Sequence, residues 1–441
     1  MPPYRDGQVS AGTRLATRSC RVPDVSFRSF LAGRTGPRVH WAAPDGLEVA
    51  ATGAAARVTA SGPGRFDAVR DDASALFDAL DADGDAPAAT RPRLFGGFAF
   101  GDDHDPAPPW KGFQGAEFVL PRVQLTRTDS DTWLTVAADD PDAADGLLAE
   151  TREAVGDLPE MQPSGDPPGV ETTRHTTSRE EWYEQVDRVV DRIRDGELRK
   201  VVLATALDVD LAGPVSVPDV LERLRSSYPD CYRFLVEPNG DGGFFGAPPE
   251  RLVSLRGRTV ETEALAGSVG RGDTPEADDE LAAELTESEK VREEHALVAE
   301  TIRDCLEPIA ESVTVGDRRL RRLSNIQHLQ TPIAAELGDD GHIIDVVEAL
   351  HPTPAVGGLP LDEALRTIQE TETFDRGWYA SPVGWFDADG DGEFAVAIRS
   401  GLAAGDRATL FAGNGIVADS DPAAEWEEVQ LKYLPILDEL E

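Results

Sequence analysis

Lys200 is one of four lysines, with Lys111, Lys290 and Lys432, in a chain that carries 38 arginines. It sits in the run GELRKVVLA, directly after Arg199 and just before an apolar, strand-like stretch. Arginine cannot be deprotonated inside a protein, whereas a desolvated lysine can lose its proton near neutral pH. A position that works as a base must keep lysine even where the rest of the chain prefers arginine. A lysine that merely starts a strand fits the same letters. Glu250, in GAPPERL, follows two prolines that fix the backbone at the start of a strand. A carboxyl group partly withdrawn from water there can stay protonated and act as a general acid. A surface ion pair with Arg251 is the plain alternative.

Carboxylates supply a second chemistry. In SDPAAEWEEVQLKY, Pro422 belongs in a first helical turn, with Ser420 or Asp421 as its cap. Glu425, Glu428 and Lys432 then share one helical face. Glu294, in EKVREEHALVAE, lies on another acidic helix. Clustered carboxylates repel one another unless a cation bridges them, and an all-oxygen donor set suits Mg2+. In a chain with 82 acidic residues, glutamates scattered over a surface are the plain alternative. Arg399, in AIRSG, ends a strand where its guanidinium fork can hold a carboxylate. The glycine amides of AGNGIV (412–417) can do the same. DADGDGEF (387–394) starts like an EF-hand loop, but position twelve is Ile398 and its flanks read as strands, so a solvated hairpin turn is expected.

These side chains need rigid elements beneath them. SREEWYEQVDRVVDRIRDGEL reads as a helix with Ser178 and Glu181 at capping-box spacing and Gly196 to close it. Its apolar face is Trp182, Val186, Val189, Val190 and Ile193. KVVLATALDV reads as a strand rich in β-branched residues. Residues 244–267 read as two strands around an Arg256-Gly257 turn, 276–311 as one long acidic helical region, and SDPAAEWEEVQLKYLPILDEL as a final helix. This mixture of strands, hairpins and helices predicts an α+β fold rather than a regular βαβ array. The polar, proline-rich stretch 156–178 reads as a linker. It divides a variable, β-rich region, 1–165, from a catalytic part, 170–441.

Composition narrows the partners. The formal net charge is −40. Self-repulsion of that size becomes tolerable in concentrated salt, where screening acts over a few Å. A salt-adapted, cytoplasmic protein is expected, with an acidic binder of cations or basic partners as the alternative. No basic face is available to neutralise phosphates, which argues against nucleic acid. Cys20, Cys231 and Cys305 are odd in number and far apart, so neither a disulfide framework nor a zinc site is expected. The start, MPPYRDGQVS, does not read as a signal peptide, and no run of about 18 apolar residues reads as a membrane span.

Taken together, LRKVVLA, FFGAPPERLV, EALAGS, EEHALV, LHPTPAVGG, AIRSG and AGNGIVADSDPAAEWEE, in that order over roughly residues 178–435, resemble the motifs of the chorismate-utilising enzymes. That family includes isochorismate, salicylate, anthranilate and aminodeoxychorismate synthases. The resemblance implies stacked, largely antiparallel sheets with helices packed outside. Lys200 stands where members that add water to the ring carry lysine and aminating members carry glutamine. Ala266 stands where aminodeoxychorismate synthases carry a nucleophilic lysine, and HPTPAVGG (351–358) is similar to isochorismate synthases. What the resemblance implies is therefore a Mg2+-dependent isomerase, an isochorismate synthase acting on chorismate without an amidotransferase partner. The lack of an appended carrier or lyase domain favours a menaquinone route over a siderophore one. Alternatives are a salicylate synthase, an aminating synthase subunit, and a catalytically silent chorismate-binding subunit.

Carried over residue by residue, the resemblance implies Lys200 as general base and Glu250 as general acid. Glu294, Glu428 and Glu425 would bind Mg2+, Glu425 directly or through water. Arg399 and the amides near Gly413 and Gly415 would hold substrate carboxylates. Gly267 and Ser268 would line the site, with His351 in the ring-packing position. Ser268 stands where threonine is commoner, and Asn414 replaces the usual small residue of AGAG. Lys290 and Lys432 are expected to pair with nearby helical glutamates.

Overall fold

In the computed structural model, which describes residues 15–34, 36–44, 46–82, 87–240, 242–272, 274–322 and 326–441, KVVLATALDVDL forms the strand Lys200–Leu211. It is buried over nearly its whole length, as its β-branched composition requires. On one side it pairs with Arg407–Ile416, from Arg407 opposite Asp210 to Ile416 opposite Val201. On the other it pairs with Val170–His175 and, at its start, with Gly358–Leu359. The stretch expected as a linker therefore ends in a strand of the sheet.

From Arg407–Ile416 the ladder runs through Ser400–Ala404, Gly243–Gly246, Arg233–Glu237, Arg38–Ala42, Glu48–Ala60 and Ala116–Arg127. There it forks. The start of Ala116–Arg127 pairs with Arg93–Phe98 and its end with Thr132–Ala138. The first branch continues through Pro382–Asp387, Gly392–Val396, Arg251–Arg256, Thr259–Gly270 and Ile326–Leu337. All of these pairings are antiparallel, so the mixture read from the sequence is an α+β fold. Strands of residues 1–165 and of the later part alternate in one ladder. A single apolar core takes in Leu203, Phe244 and Phe411 from one arm and Val253, Phe386 and Phe394 from the other.

The helices follow their caps. Arg179–Arg194 has its capping box: Ser178 Oγ accepts from the Glu181 amide at 3.2 Å, and the Glu181 carboxylate accepts from the Ser178 amide at 2.8 Å. Its buried face packs on the helix Pro422–Leu437, with the Trp182 and Trp426 ring centroids 6.3 Å apart. Asp421 caps that last helix through the amides of Ala423 and Ala424. The acidic region 276–311 differs from expectation. It is two helices, Pro275–Glu287 and Glu289–Leu306, separated at Ser288, whose hydroxyl accepts from the Val291 amide. Serine competes poorly for a helix interior and well for a cap, so it ends one helix and starts the next. The second helix packs on Thr259–Gly270. DADGDGEF is a hairpin turn between Pro382–Asp387 and Gly392–Val396, with Gly390 at φ +77°.

Candidate active site

Lys200, Glu250, Gly267, Glu294, Arg399, Gly413, Gly415, Glu425 and Glu428 line one cavity of about 370 Å³, within the range of about 300–1,000 Å³ for small-molecule sites. Residues far apart in sequence are brought there by the ladder. Lys200 and Gly415 come from the paired strands Lys200–Leu211 and Arg407–Ile416, and Glu294, Glu425 and Glu428 from two helices laid over them. The side chain of Ser268 lies outside the described residues.

Lys200 points its amine across the cavity, and Nζ donates to Glu294 Oε1 at 2.8 Å. Its stem passes over Gly415, where a Cβ would fall 2.8 Å from Lys200 Cε. The glycine is thus needed for the room it leaves the lysine. Glu250 follows Pro248 and Pro249, and its carbonyl accepts from the Val396 amide at 3.1 Å. Its carboxyl lines the cavity, and the residue is partly buried. Burial, and then the negative charge of Glu263, push its pKa up to about 7, against the opposing pull of Lys200 and Arg321. A carboxyl in that range holds a transferable proton at neutral pH.

Arg399 and Ala380 are the only non-glycine residues with left-handed backbone among the described residues, at φ 51° and 61°, and both line this cavity. Such conformations cost on the order of 1–3 kcal/mol each and persist where surrounding bonds fix them, commonly at functional sites. Here the Ala247 amide donates to the Arg399 carbonyl at 3.0 Å, and the Ala380 amide to the Ala397 carbonyl at 3.1 Å. Among the described residues the Arg399 guanidinium has no ion-pair partner. Burial pushes its pKa down, and the thiol of Cys231, the phenols of Tyr228 and Tyr379 and the carboxylate of Glu428 surround it.

The helix face read from the sequence is formed, and Lys432 does more on it than pair with a glutamate. Its Nζ reaches Glu428 Oε1 at 3.0 Å, the Gly413 carbonyl at 2.9 Å and Asn414 Oδ1 at 2.7 Å. Asn414 Nδ2 in turn donates to Glu425, and its Oδ1 also accepts from the Gly415 amide at 3.1 Å. The amide expected to hold a substrate carboxylate is thus engaged by its neighbour's side chain. Burial raises the pKa of both glutamates. At Glu425 that effect prevails, whereas at Glu428 Lys432, Asn414 and Arg399 together outweigh it and the net shift is downward. Each carboxylate therefore has a partner of its own: Lys200 for Glu294, Asn414 for Glu425, Lys432 for Glu428. Among the described residues no three carboxylate, imidazole or thiol groups converge closely enough to hold a metal ion.

His351 does not line this cavity. It ends the helix Ile343–Leu350, and its Nε2 lies 3.2 Å from the Phe100 carbonyl, with the ring edge-on to Phe100 at 5.6 Å. The wall nearby is formed by Ala355 and Val356, a few residues on. Lining residues not read from the sequence include Tyr379 and His328. Burial, with Arg399 and Arg321 near, pushes the His328 pKa down to about 4, so the imidazole is neutral. Nothing in the spacing of QHLQ or GWYAS separates these two from ordinary strand residues. Behind the wall, buried Arg376 donates to the carbonyls of Val202 at 2.7 Å and Val356 at 2.9 Å, both cavity residues. It also binds the Glu372 carboxylate at 2.6 and 2.9 Å, which accepts from the Ala204 amide at 2.7 Å.

A family model described as chorismate binding enzyme matches residues 8–441. The chain is 38% identical over 410 residues to the salicylate biosynthesis isochorismate synthase of Pseudomonas aeruginosa, covering 90% of this chain and 84% of that protein. It is 37% identical over 360 residues to isochorismate synthase MenF of Bacillus subtilis, covering 80% and 75%. Among solved structures, MenF, the menaquinone-specific isochorismate synthase from Escherichia coli, is similar with a TM-score of 0.82 at 27% identity, covering 97% of this chain and 95% of that one.

Proposed function

The chain belongs to the chorismate-binding enzyme family, and from that premise we propose that it is an isochorismate synthase, an isomerase converting chorismate to isochorismate. The observation that carries this reading is one cavity that holds both Lys200 and a carboxyl, Glu250, poised near neutrality. Lys200 serves as the base for a water attacking C2 of the ring. Glu250 gives its proton to the C4 hydroxyl, which leaves as water while the double bonds shift. One water enters and one leaves, so the net reaction is an isomerisation. Chorismate carries two carboxylates, and Arg399 is the cation on the cavity wall whose guanidinium can hold one of them, since the Lys432 ammonium is engaged by Glu428, Gly413 and Asn414.

Mg2+ is the cation the resemblance implies, and the donor set suits it: Glu294, Glu425 and Glu428 are hard oxygen ligands lining the same cavity as the acid and base. Bound there, it would supply charge neutralisation and a template for a substrate carboxylate. The chain's own residues must then give way, since Lys200, Asn414 and Lys432 now hold those three side chains.

A menaquinone route for the product is supported by the likeness to the menaquinone-specific E. coli enzyme. The charge of −40 supports a cytoplasmic working environment of concentrated salt. No helix among the described residues is long and apolar enough to cross a membrane.

The test is product identification after incubation with chorismate and Mg2+, at low and multimolar KCl. Isochorismate is expected. Fluorescent salicylate would mean that pyruvate is eliminated as well, and tight chorismate binding without any product would mean a silent binding subunit.

A further inference from the structure

The strand Thr259–Gly270 passes from one cavity to another. Its Leu265 and Gly267 line the substrate cavity, and its Glu261 and Glu263 line a second cavity of about 750 Å³. The chain around Glu250 passes over at the same level, with Glu250 on the first cavity and Arg251 on the second. Side chains two apart on a strand share a face, so Glu263 is the next position behind Leu265 on the face that borders the substrate cavity.

Glu263 is buried and fixed from two sides. Arg321 Nη1 donates to its Oε1 at 2.8 Å, and Gln330 Nε2 donates to its Oε2. Arg319 Nε donates to Gln330 Oε1 at 2.8 Å, which leaves the amide nitrogen for Glu263. Arg319 and Arg321 lie on Arg319–Arg322 and Gln330 on Ile326–Leu337, which pair with each other, and Gln330 is opposite Leu265. Three strands thus hold one carboxylate that does not itself line the substrate cavity. Taking a carboxylate out of water is costly, on the order of several kcal/mol, which calls for a use of its charge.

We propose that Glu263 is a positioning residue for the proton of Glu250: its fixed negative charge, one step behind the substrate cavity, keeps the general acid loaded between turnovers. This rests on the reading of Glu250 as the general acid. Each turnover removes a proton from Glu250 and leaves one on Lys200, and a negative neighbour favours the return of the proton to the carboxyl. The charges that act on Glu250 come from three elements: Glu263 from Thr259–Gly270, Lys200 from Lys200–Leu211 and Arg321 from Arg319–Arg322, with Glu263 raising its proton affinity and the two cations lowering it. Arg399 and His328 line the same cavity, and His328 is uncharged near neutral pH.

The test is the pH dependence of kcat/KM for chorismate with saturating Mg2+, in the wild type, Glu263→Gln, Arg321→Gln and the double variant. Glu263→Gln is expected to move the alkaline limb to lower pH by about one unit. Arg321→Gln moves it to higher pH, and the double variant returns it towards the wild type. Opposite displacements separate this role from lost packing, which lowers kcat at every pH and leaves the limb in place. An alkaline limb unmoved in Glu263→Gln, or moved the same way in both single variants, overturns the proposal. Should Glu263→Gln lack a cooperative unfolding transition, the comparison of Arg321→Gln with the double variant decides: a limb at lower pH in the double variant is expected, and equal limbs overturn the proposal. Glu250→Gln separates the premise from the proposal: retained turnover removes the acid itself, whereas an inactive Glu250→Gln with an unmoved Glu263→Gln limb removes only the role of Glu263.

Discussion

Lys200 Nζ donates to Glu294 Oε1 at 2.8 Å, so the proposed base and a proposed metal ligand satisfy one another. A cation held by the Glu294 carboxylate would compete with Lys200 for it and would leave the amine without that bond. Arginine at this position keeps a donor for Glu294 but does not release its proton to become a base. Lys200→Arg is therefore expected to lose about 100- to 10,000-fold in kcat while calorimetry still finds chorismate binding. Wild-type turnover in this variant would remove Lys200 from the base role.

Gly415→Ala tests the room left for that lysine. Its Cβ would fall 2.8 Å from Lys200 Cε, the far part of a flexible side chain, so the fold absorbs the change by moving the amine. Thermal stability should stay close to the wild type, while kcat drops on the order of 100-fold from misplacement of the reacting group. Steady-state kinetics beside a melting curve separates the two.

Glu250 has a consequence for stability as well as for rate. Its pKa rises from 4.5 to about 7 on folding, so between those values the folded chain holds a proton that the unfolded chain has lost. The stability this contributes is complete below the unfolded value and is lost as pH rises through the folded one. Glu250→Gln does not titrate. Its stability relative to the wild type should grow between pH 5 and pH 8, by up to about 3 kcal/mol. Urea unfolding at the two pH values measures this, and an equal difference at both contradicts it.

Much of this site was legible before the fold was known, because the chemistry is carried by residue types that composition makes conspicuous. One lysine among arginines, a glutamate after two prolines and a helix face of Glu425, Glu428 and Lys432 all meet in one cavity. Other features were hidden for physical reasons. His351 opens the motif HPTPAVGG, but its direction is set by the helix it ends and by Phe100, which sequence spacing does not encode. Ser288 broke an expected single helix because a cap and a polar interior residue look alike until the backbone turns. The alternation of early and late strands was likewise invisible, since strand partners in a sheet are set by tertiary packing rather than by local pattern.

The Glu372–Arg376 pair is buried on both sides and ties Val202, Ala204 and Val356 together. Glu372→Leu strands a guanidinium in the interior and should cost about 3–5 kcal/mol. Replacing both partners by apolar residues should cost less than the single change, because no unpaired charge remains. Denaturant unfolding of the three variants reads this ordering directly.

With a net charge of −40, the compact chain repels itself in dilute buffer. The melting temperature should rise steeply from dilute buffer to multimolar KCl, as the screening length shrinks. A flat response would mean that local ion pairs already balance the surface.

The strand that bears Lys200 is flanked along most of its length by Arg407–Ile416, roughly two hundred residues further on. A ribosome must therefore release nearly everything up to Ile416 before that edge is covered. Until then the emerging polypeptide presents a long apolar edge with unsatisfied amides, the kind of surface that chaperones shield and aggregates recruit. Chorismate cannot rescue it early, because a nascent fragment lacking the final strand and helix has no pocket for a ligand to stabilise.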